Sequence, residues 1–583
     1  MMGRPTNSQA ASILQAAELV RQGQWQQAEA VLTPVLKADP GEPDGLQLLG
    51  LVRERQGQLV EAEALLRRSL TARPSQPHVQ VHLGRILADA GKHHDAIAVL
   101  QAAALAQPDL FDAFVILAQV QFTVGKLAAA EENYRSALRL VPRSPVALLG
   151  LGVLLIKLLR PAEAESLLRT AAENTARPAS WQARLAFHLG QSLELQGRGE
   201  DAIEAWRHAI ALDPAHTEAH RELNALLYRR GRDEEFLASH DAAVQSLPSS
   251  RAAERGALLL QKAGFLMDAE RYEEARECFA QVAALAPRSA GPQNGLGAAY
   301  ARLGRLDAAI AAYEKSLRLQ PDDGTTKTHL ACVLLESGET KRALRLTTDA
   351  ARHRPHDQAL LAVHELALRA NDDPRAERLA DYGRHVQIFD LEPPQGFATM
   401  AAFNTALNAH LDTLHTDRRE PVDQTLRHGT QSAPSLLRGR HALLDALRRR
   451  MEEAVGVYIA RMPQGDAEHP LTGRRRSGFA FSGSWSSRLH DCGFHANHVH
   501  PEGWISSCYY VTVPDPALDS AVQQGWIKFG EPSFKTTLQS SVRRTVQPVP
   551  GRLVLFPSYM WHGTIAFHAP TARTTIAFDA VPI

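Results

Sequence analysis

Three histidines crowd the stretch FHANHVHPEGWISSCYYV, residues 494–511: His495, His498 and His500. Imidazole is a common ligand for divalent transition metals, and a facial mononuclear iron site needs three protein ligands on a rigid frame with the opposite positions open. Side chains at i and i+2 of a strand point to one side, so His498 and His500 form a natural pair. His495 stands three residues from His498, which suits a strand poorly. The third ligand has to come from a distant strand, and His562 in MWHGT offers it. Arg573 then opens the strand-like RTTIAFD, where a guanidinium can hold the far end of a dicarboxylate through a bidentate pair. Thr575, two residues on and on the same side, adds a hydroxyl. Two alternatives to the set His498, His500 and His562 stay open. In one, the PEG turn folds back and Glu502 supplies a carboxylate ligand; in the other there is no catalytic metal and the histidines belong to an ordinary loop.

Parity extends the set. Counting in twos from His498 and His500, positions 504, 506, 508 and 510 share a side if the turn at 501–503 keeps register, which puts Tyr510 in the same cavity. Two strands presenting polar groups inward are costly in an ordinary sandwich core unless those groups find partners, so the pattern argues for a ligand cavity. The plainer readings are a surface strand arginine for Arg573 and core packing for the Tyr509–Tyr510 pair. Trp485, Trp504, Trp526 and Trp561 read as core or pocket wall. Arg474 to Arg476 read as a solvated basic turn, and Asn497 as a residue able to position substrate beside the metal pair.

The elements that must hold these residues begin near residue 386, where DLEPPQGF breaks a helical pattern. Helical text resumes in MAAFNTALNAHLDTLH and ALLDALRRRMEEAVGVYIARM. From about 478 the period becomes two, in GFAFSGSWSSRL, WISSCYYVTV, GWIKFG, GRLVLFPSYMWHGT and RTTIAFDAV. Helices followed by a run of short strands predict a β-sandwich or jelly roll with flanking helices over 386–583.

The first two thirds repeat. Prolines 40, 74, 108, 142, 178, 214, 248, 287, 321 and 355 stand at intervals of 34 to 39 residues. Twelve residues before most of them is an alanine (Ala28, Ala62, Ala96, Ala130, Ala202, Ala275, Ala309, Ala343), and twenty-four before is a small residue such as Gly50, Gly84, Ala118, Gly190 or Gly297. Small residues at fixed offsets let two helices approach closely, and the proline stops the second helix of each unit because it has no N–H to donate. The copies at 143–178, 215–248 and 249–287 depart in length or at the alanine, replaced by Phe236 in one, and irregular helices are expected there. No residue of the array has a catalytic arrangement; His93 and His94 read as solvent-facing.

HLGRILADAGKHHDAIAVLQAAALAQP (82–108) and GLGAAYARLGRLDAAIAAYEKSLRLQP (295–321) resemble tetratricopeptide repeats. The resemblance covers roughly residues 10–385 and implies an all-α superhelical solenoid over 1–385, of about ten repeats plus capping helices, with a groove for a protein or peptide. Contacts within an oligomer are the plainer use of such an array. Residues 386–583 resemble the iron(II)- and 2-oxoglutarate-dependent oxygenases of the double-stranded β-helix, or jelly-roll, fold, whose pattern is His-x-Asp, a distal His, and an Arg followed by x-Ser/Thr. HVHPEGWISSCYYV is similar to the corresponding stretch of prolyl hydroxylases. LRHGTQS, GSWSSRL, HVHPEGWIS and GRLVLFPSYMWHGT resemble a bacterial group of such domains that often follow tetratricopeptide repeats. The resemblance implies Fe(II) at His498, His500 and His562, and 2-oxoglutarate held by Arg573 with Tyr510 and Thr575. It also implies oxidative decarboxylation to succinate coupled to hydroxylation of a substrate C–H, with no catalytic residue beyond the metal site. His500 stands where the broad family has a carboxylate, which leaves the site one negative charge short.

Composition narrows the field. Lys plus Arg and Asp plus Glu both total 64, which gives no net charge to argue for nucleic acid or an anionic membrane. Cys278, Cys332, Cys492 and Cys508 are scattered without a CxxC pair, which suits a reducing cytoplasm. MMGRPTNSQAAS lacks the pattern of a secretory leader, and the most apolar stretch, VALLGLGVLLIKLL at 146–159, is too short to span a bilayer. A cytoplasmic protein is the expectation, with its oligomeric state open. The rivals to an oxygenase are a repeat scaffold whose C-terminal domain binds a ligand or metal without turnover, and a zinc-dependent, cupin-like hydrolase or isomerase. The spacing of Arg573 and Thr575 from His562 speaks against the second.

Overall fold

The periodic prolines mark where helices end. In the computed structural model, which describes residues 7–583 except 174–175, 433–434, 439–440, 464–465, 477, 537 and 539–540, helices run in antiparallel pairs as far as His385. The start of the MMGRPTNSQAAS stretch lies outside the described residues. The chain packs as two compact units, residues 1–213 and 214–583, and the change from helix to strand near 386 falls inside the second.

In the first unit, helices Trp25–Ala38, Leu59–Ala72, His93–Ala106 and Leu127–Leu140 each stop two residues before a proline of the series. The repeating alanines Ala28, Ala62, Ala96, Ala130 and Ala202 are fully buried. Their small partners are needed: a Cβ added at Gly84 would lie 2.4 Å from Leu100 Cγ, and one at Gly190 would lie 2.3 Å from Trp206 Nε1. In the copy at 143–178 the helices Pro145–Lys157 and Pro161–Ala172 keep regular lengths of 13 and 12 residues. In the turn between them Leu159 takes the positive φ that glycine takes elsewhere, and the extra length of this copy falls between Ala172 and Ala179. His93 is half-buried, not solvent-facing.

In the second unit, Phe236 explains one departure. Its ring packs 5.3 Å from Tyr228 and 5.9 Å from Phe265, in a space that alanine fills in other copies. The second helix of that copy starts after it and keeps only 9 residues, Ala238–Ser246. The next copy lengthens its first helix, Ala252–Asp268, to 17 residues and leaves Tyr272–Leu285 regular.

Among the described residues nine strands follow: β1 Gln387–Asp390, β2 Leu426–Gln431, β3 Phe479–His495, β4 Ile505–Thr512, β5 Ile527–Phe529, β6 Arg544–Val546, β7 Arg552–Pro557, β8 His562–Thr564 and β9 Arg573–Pro582. They form an antiparallel six-stranded sheet in the order β1-β7-β4-β9-β3-β2 and a three-stranded sheet in the order β6-β5-β8. Alternation decides which residues go where. Ile576, Phe578 and Tyr509 join an apolar core with Phe403 and Leu407 of helix Met400–Asp412, and the Tyr509 hydroxyl donates to Asn404 at 2.7 Å. The intervening residues of β9 face the space between the two sheets.

The last repeats pack on this β-rich region. Trp561 Nε1 donates to the Ala362 carbonyl at 3.2 Å and the Tyr559 hydroxyl to that of Leu379 at 2.7 Å. The segment before β2 reaches earlier repeats: the Arg419 guanidinium stacks 3.8 Å above the Tyr228 ring, and Asp417 pairs with Arg229 at 3.2 Å. Among the described residues no helix is long and apolar enough to cross a membrane.

Candidate metal and cosubstrate site

Backbone pairing sets the three predicted ligands opposite one another. His498 and His562 exchange N–H···O bonds of 2.9 and 3.0 Å across an antiparallel bridge, and His500 N–H donates to the Ser558 carbonyl at 3.0 Å. One ring nitrogen from each of His498, His500 and His562 lies within 4.8 Å of the others. The remaining nitrogens are committed to acceptors that cannot donate: His498 Nδ1 to Ala496 O at 2.7 Å, His562 Nδ1 to Met560 O at 2.9 Å, and His500 Nδ1 to Asp579 Oδ1 at 2.6 Å. The Nδ1 of His498 and of His562 therefore carries hydrogen in the neutral ring and the Nε2 of each presents a lone pair, while His500 Nδ1 faces a carboxylate. His498 Nε2 and His500 Nε2 stand 3.1 Å apart, close enough to share one cation.

Burial keeps His498 and His562 neutral. It lowers the His498 pKa to about 3, with the neighbouring His500 adding to the effect. Burial, followed by His498 and His500, holds His562 well below the usual imidazole range. Neutral imidazoles are what a divalent ion requires. His495 lies beside the cluster, its ring 6.0 Å from that of His498, and contributes no nitrogen to it.

The other end of the cavity is built from β9, β3 and β4. Arg573 is 1% exposed and its guanidinium carbon lies 5.0 Å from the centroid of the Tyr510 ring. Among the described residues Arg573 Nε, the Tyr510 hydroxyl and Ser487 Oγ are all buried without a hydrogen-bond partner of good geometry. Burial holds the Tyr510 phenol well above its usual pKa, with Cys508 adding to the rise, so its oxygen carries a proton to donate. Thr575, directly opposite Ser487, donates weakly to the Ser487 carbonyl at 3.4 Å. A buried cation beside unsatisfied donors fits a carboxylate. The three histidines, Arg573 and Thr575 line one cavity between the sheets; Tyr510 lies under the guanidinium rather than on the cavity wall.

Glu502 is not brought to this cluster. It is exposed in the turn before β4 and lines a different cavity with Thr325 and Arg354. The carboxylate that meets His500 is Asp579. Ser506 Oγ donates to the same Asp579 oxygen at 2.6 Å, and Ser506 and Ser558 hydroxyls are 2.8 Å apart. The signal for Asp579 was present in the sequence: residues 573, 575, 577 and 579 share one side of β9. Asn497 ties down a loop, its amide donating to Glu531 Oε2 and Pro532 O, both at 3.0 Å, and lines a cavity together with His498. Trp485 is cavity wall, its ring centroid 5.6 Å from that of His500. Trp504 and Trp526 spend their N–H groups on the carbonyls of Leu471 and Ala517, each at 2.9 Å.

A second cavity of about 720 Å³ shares His495, His498 and Thr564 with the first, and on its far side Met267 and Arg302 of the repeats form the wall. The metal-competent cluster thus opens toward the repeats of its own unit.

Comparison with known proteins agrees with this layout. Residues 483–579 match the family described as "Putative 2OG-Fe(II) oxygenase". Tetratricopeptide-repeat models match 13–77, 187–251 and 266–324, and 53–119 and 122–186. The human Protein O-mannosyl-transferase TMTC1 is 27% identical over 219 residues, 38% of this chain and 24% of that protein, so the match spans about a quarter of the relative's length. Among solved structures, PilF of Pseudomonas aeruginosa is similar at 21% identity and a TM-score of 0.33, over 36% of this chain and 94% of that one. A tetratricopeptide repeat protein from Parabacteroides merdae is similar at 15% identity and a TM-score of 0.34, over 50% and 98%.

Proposed function

Since the chain joins tetratricopeptide repeats to a C-terminal domain of the 2OG-Fe(II) oxygenase family, we propose that it is an Fe(II)- and 2-oxoglutarate-dependent oxygenase acting on a protein or peptide held by the repeats. The observation that carries this reading is one cavity lined by three converging imidazoles and by buried Arg573, whose guanidinium rests on the Tyr510 ring. His498, His500 and His562 would hold the metal. Arg573 would take the far carboxylate of 2-oxoglutarate in a charge-assisted pair, and the Tyr510 hydroxyl would donate to the same group. When bound, iron with 2-oxoglutarate and dioxygen supplies oxidative decarboxylation to succinate coupled to oxidation of a substrate C–H bond.

The protein's own groups prepare that chemistry. Ala496 O and Met560 O fix the tautomers of His498 and His562 so that a lone pair points inward, and Asp579 faces His500 Nδ1. Apolar walls at Ile527 and Phe556 limit water. The opening past His498 toward Met267 and Arg302 gives an extended segment held by the repeats a route to the metal.

The test is an anaerobic titration of the full chain with Fe(II) and 2-oxoglutarate, read by the weak visible charge-transfer absorption of the chelate, followed by admission of oxygen and measurement of succinate. Absorption and succinate in the parent, with both lost in His562→Ala, support the reading. A second reading, a ligand-binding scaffold without turnover, is favoured by the absence of a carboxylate among the three converging ligands. Binding of both ligands without succinate above the His562→Ala background would establish it in place of the first.

A further inference from the structure

Three neutral imidazoles around a divalent ion leave two positive charges in a cavity shielded from water. Burying that charge uncompensated is costly, and an aspartate as third ligand would have halved it. The missing charge has a candidate source close by. Asp579 is 8% exposed, accepts from His500 Nδ1 at 2.6 Å, and accepts from Ser506 Oγ at 2.6 Å on the same oxygen. Its position is fixed by the sheet, because Ser506 of β4 is the register partner of Asp579 on β9. Ser558, whose hydroxyl meets that of Ser506 and whose carbonyl receives the His500 N–H, ties the carboxylate and the ring into one frame. Gly503 leaves the frame its space: a Cβ there would lie 2.3 Å from Ser558 Oγ.

We propose that Asp579 is the positioning residue of the metal centre, supplying through the far nitrogen of His500 the negative charge that the ligand set itself lacks. The inference rests on the metal-site reading above. A carboxylate on the outer nitrogen of a ligating imidazole fixes its orientation and raises its basicity, so the ring binds more tightly and the net charge of the site falls by one. His500 and Asp579 together do electrostatically what a directly coordinating aspartate does, with the charge moved one ring outward. A merely structural aspartate would fasten β4 to β9 and leave metal affinity alone.

The experiment uses the full-length protein and Co(II), whose absorption reports coordination without turnover. Dissociation constants are measured by competition with a chelator for the parent, Asp579→Asn, Ser506→Ala, His500→Asp and His500→Asp/Asp579→Asn. Asp579→Asn should weaken Co(II) binding by roughly 10- to 100-fold and shift its absorption bands, since loss of such an outer partner typically has that cost. Ser506→Ala should weaken it by less. In the His500→Asp background, where the charge already sits on the metal, adding Asp579→Asn should cost nothing. Affinity within twofold of the parent for Asp579→Asn, or an equal loss in both backgrounds, would overturn the proposal. Melting of the metal-free variants checks folding, and Ser506→Ala carries the test if Asp579→Asn does not fold. A parent that binds no Co(II) would remove the metal-site reading and this inference together; a parent that binds beside an unaffected Asp579→Asn removes this inference alone.

Discussion

The Arg573 guanidinium carbon lies 5.0 Å from the centroid of the Tyr510 ring, and each residue keeps a buried polar atom, Nε and the phenol oxygen, without a hydrogen-bond partner of good geometry. A cation–π contact contributes about 1–2 kcal/mol, while each unmatched buried polar group costs about 1–3 kcal/mol. The pair is therefore under-satisfied alone and completed by an anionic acceptor. Tyr510→Phe removes one unmatched hydroxyl, so the ligand-free protein should be as stable as the parent or about 1 kcal/mol more stable. The same change should lower 2-oxoglutarate affinity about fivefold. Opposite signs in the two measurements are the signature; a loss of stability with unchanged affinity would make Tyr510 a packing residue only.

Arg573→Ala addresses the charge itself. A charge-assisted pair to a carboxylate contributes about 3 kcal/mol, so 2-oxoglutarate binding should weaken by roughly a hundredfold. Metal affinity should stay within a few-fold, because Arg573 makes no contact with the histidine cluster through its own hydrogen bonds. Isothermal titration with metal and then with cosubstrate separates the two. Equal losses in both would show that Arg573 holds the cavity's shape rather than the ligand.

Metal should stabilise the fold. A ligand that binds only the native state adds about 2.7 kcal/mol at a hundred times its dissociation constant. Fe(II) added anaerobically, or Co(II), should raise the melting temperature of the parent, and a chelator should reverse the rise. His562→Ala removes one of the three nitrogens that lie within 4.8 Å of one another and should melt at one temperature with or without metal. An equal rise in that variant would place the ion elsewhere.

Much of this was legible in the sequence because it depends on periods. The alanines twelve residues before the prolines are fully buried where helices touch, and the i, i+2 spacing of His498 and His500 survives because the bridge to His562 keeps the segment extended. What could not be read depends on neighbours distant in the chain. Phe236 marked a departure from the repeat pattern, and its effect is decided by the rings of Tyr228 and Phe265 that receive it. Glu502 looked close to the metal pair by number, but the turn carries it outward. Asp579, seventy-nine residues from His500, is brought there by the pairing of β4 with β9. Strand parity marks the side a residue faces, and only the register between strands says what it meets.

The repeats offer a test of packing. Gly190 faces Trp206, a fully buried ring whose N–H donates to the Phe187 carbonyl at 3.1 Å, and an alanine Cβ would come within 2.3 Å of its nitrogen. Neither helix backbone nor indole can yield easily, so Gly190→Ala should destabilise the first unit by about 1–3 kcal/mol despite alanine's better helix propensity. Gly264, also inside a helix, has nothing within 4 Å of an added Cβ and should be stabilised by about 0.5–1 kcal/mol on the same change. Urea midpoints of the two variants should therefore move in opposite directions, and a shared direction would count against close helix contact at Gly190.

Glu365 predicts a pH dependence that does not involve the metal site. It lies buried on helix Gln358–Arg369, with one oxygen 3.5 Å from Arg369 Nη1 and the Tyr382 hydroxyl beside the carboxyl group. Arg369 in turn donates to the Gly530 and Ser541 carbonyls at 2.9 and 3.2 Å, which divides its attention. Burial raises the Glu365 pKa to about 7, with Arg369, Arg543 and Tyr382 pulling the other way. The unfolded chain releases this proton near the ordinary value of 4.5. Between those values the folded state holds a proton that the unfolded state has lost, so stability falls as pH rises. The contribution is fully present below about 4.5 and lost by about 7, and its size is at most about 3 kcal/mol. Glu365→Gln keeps the shape and the neutrality, so it should match the parent at pH 4.5 and exceed it by up to that amount at pH 8. Hydrogen exchange of β4 and β9 amides across this range measures the difference in the unit concerned, and parallel profiles for parent and variant would assign Glu365 an ordinary carboxylate's behaviour.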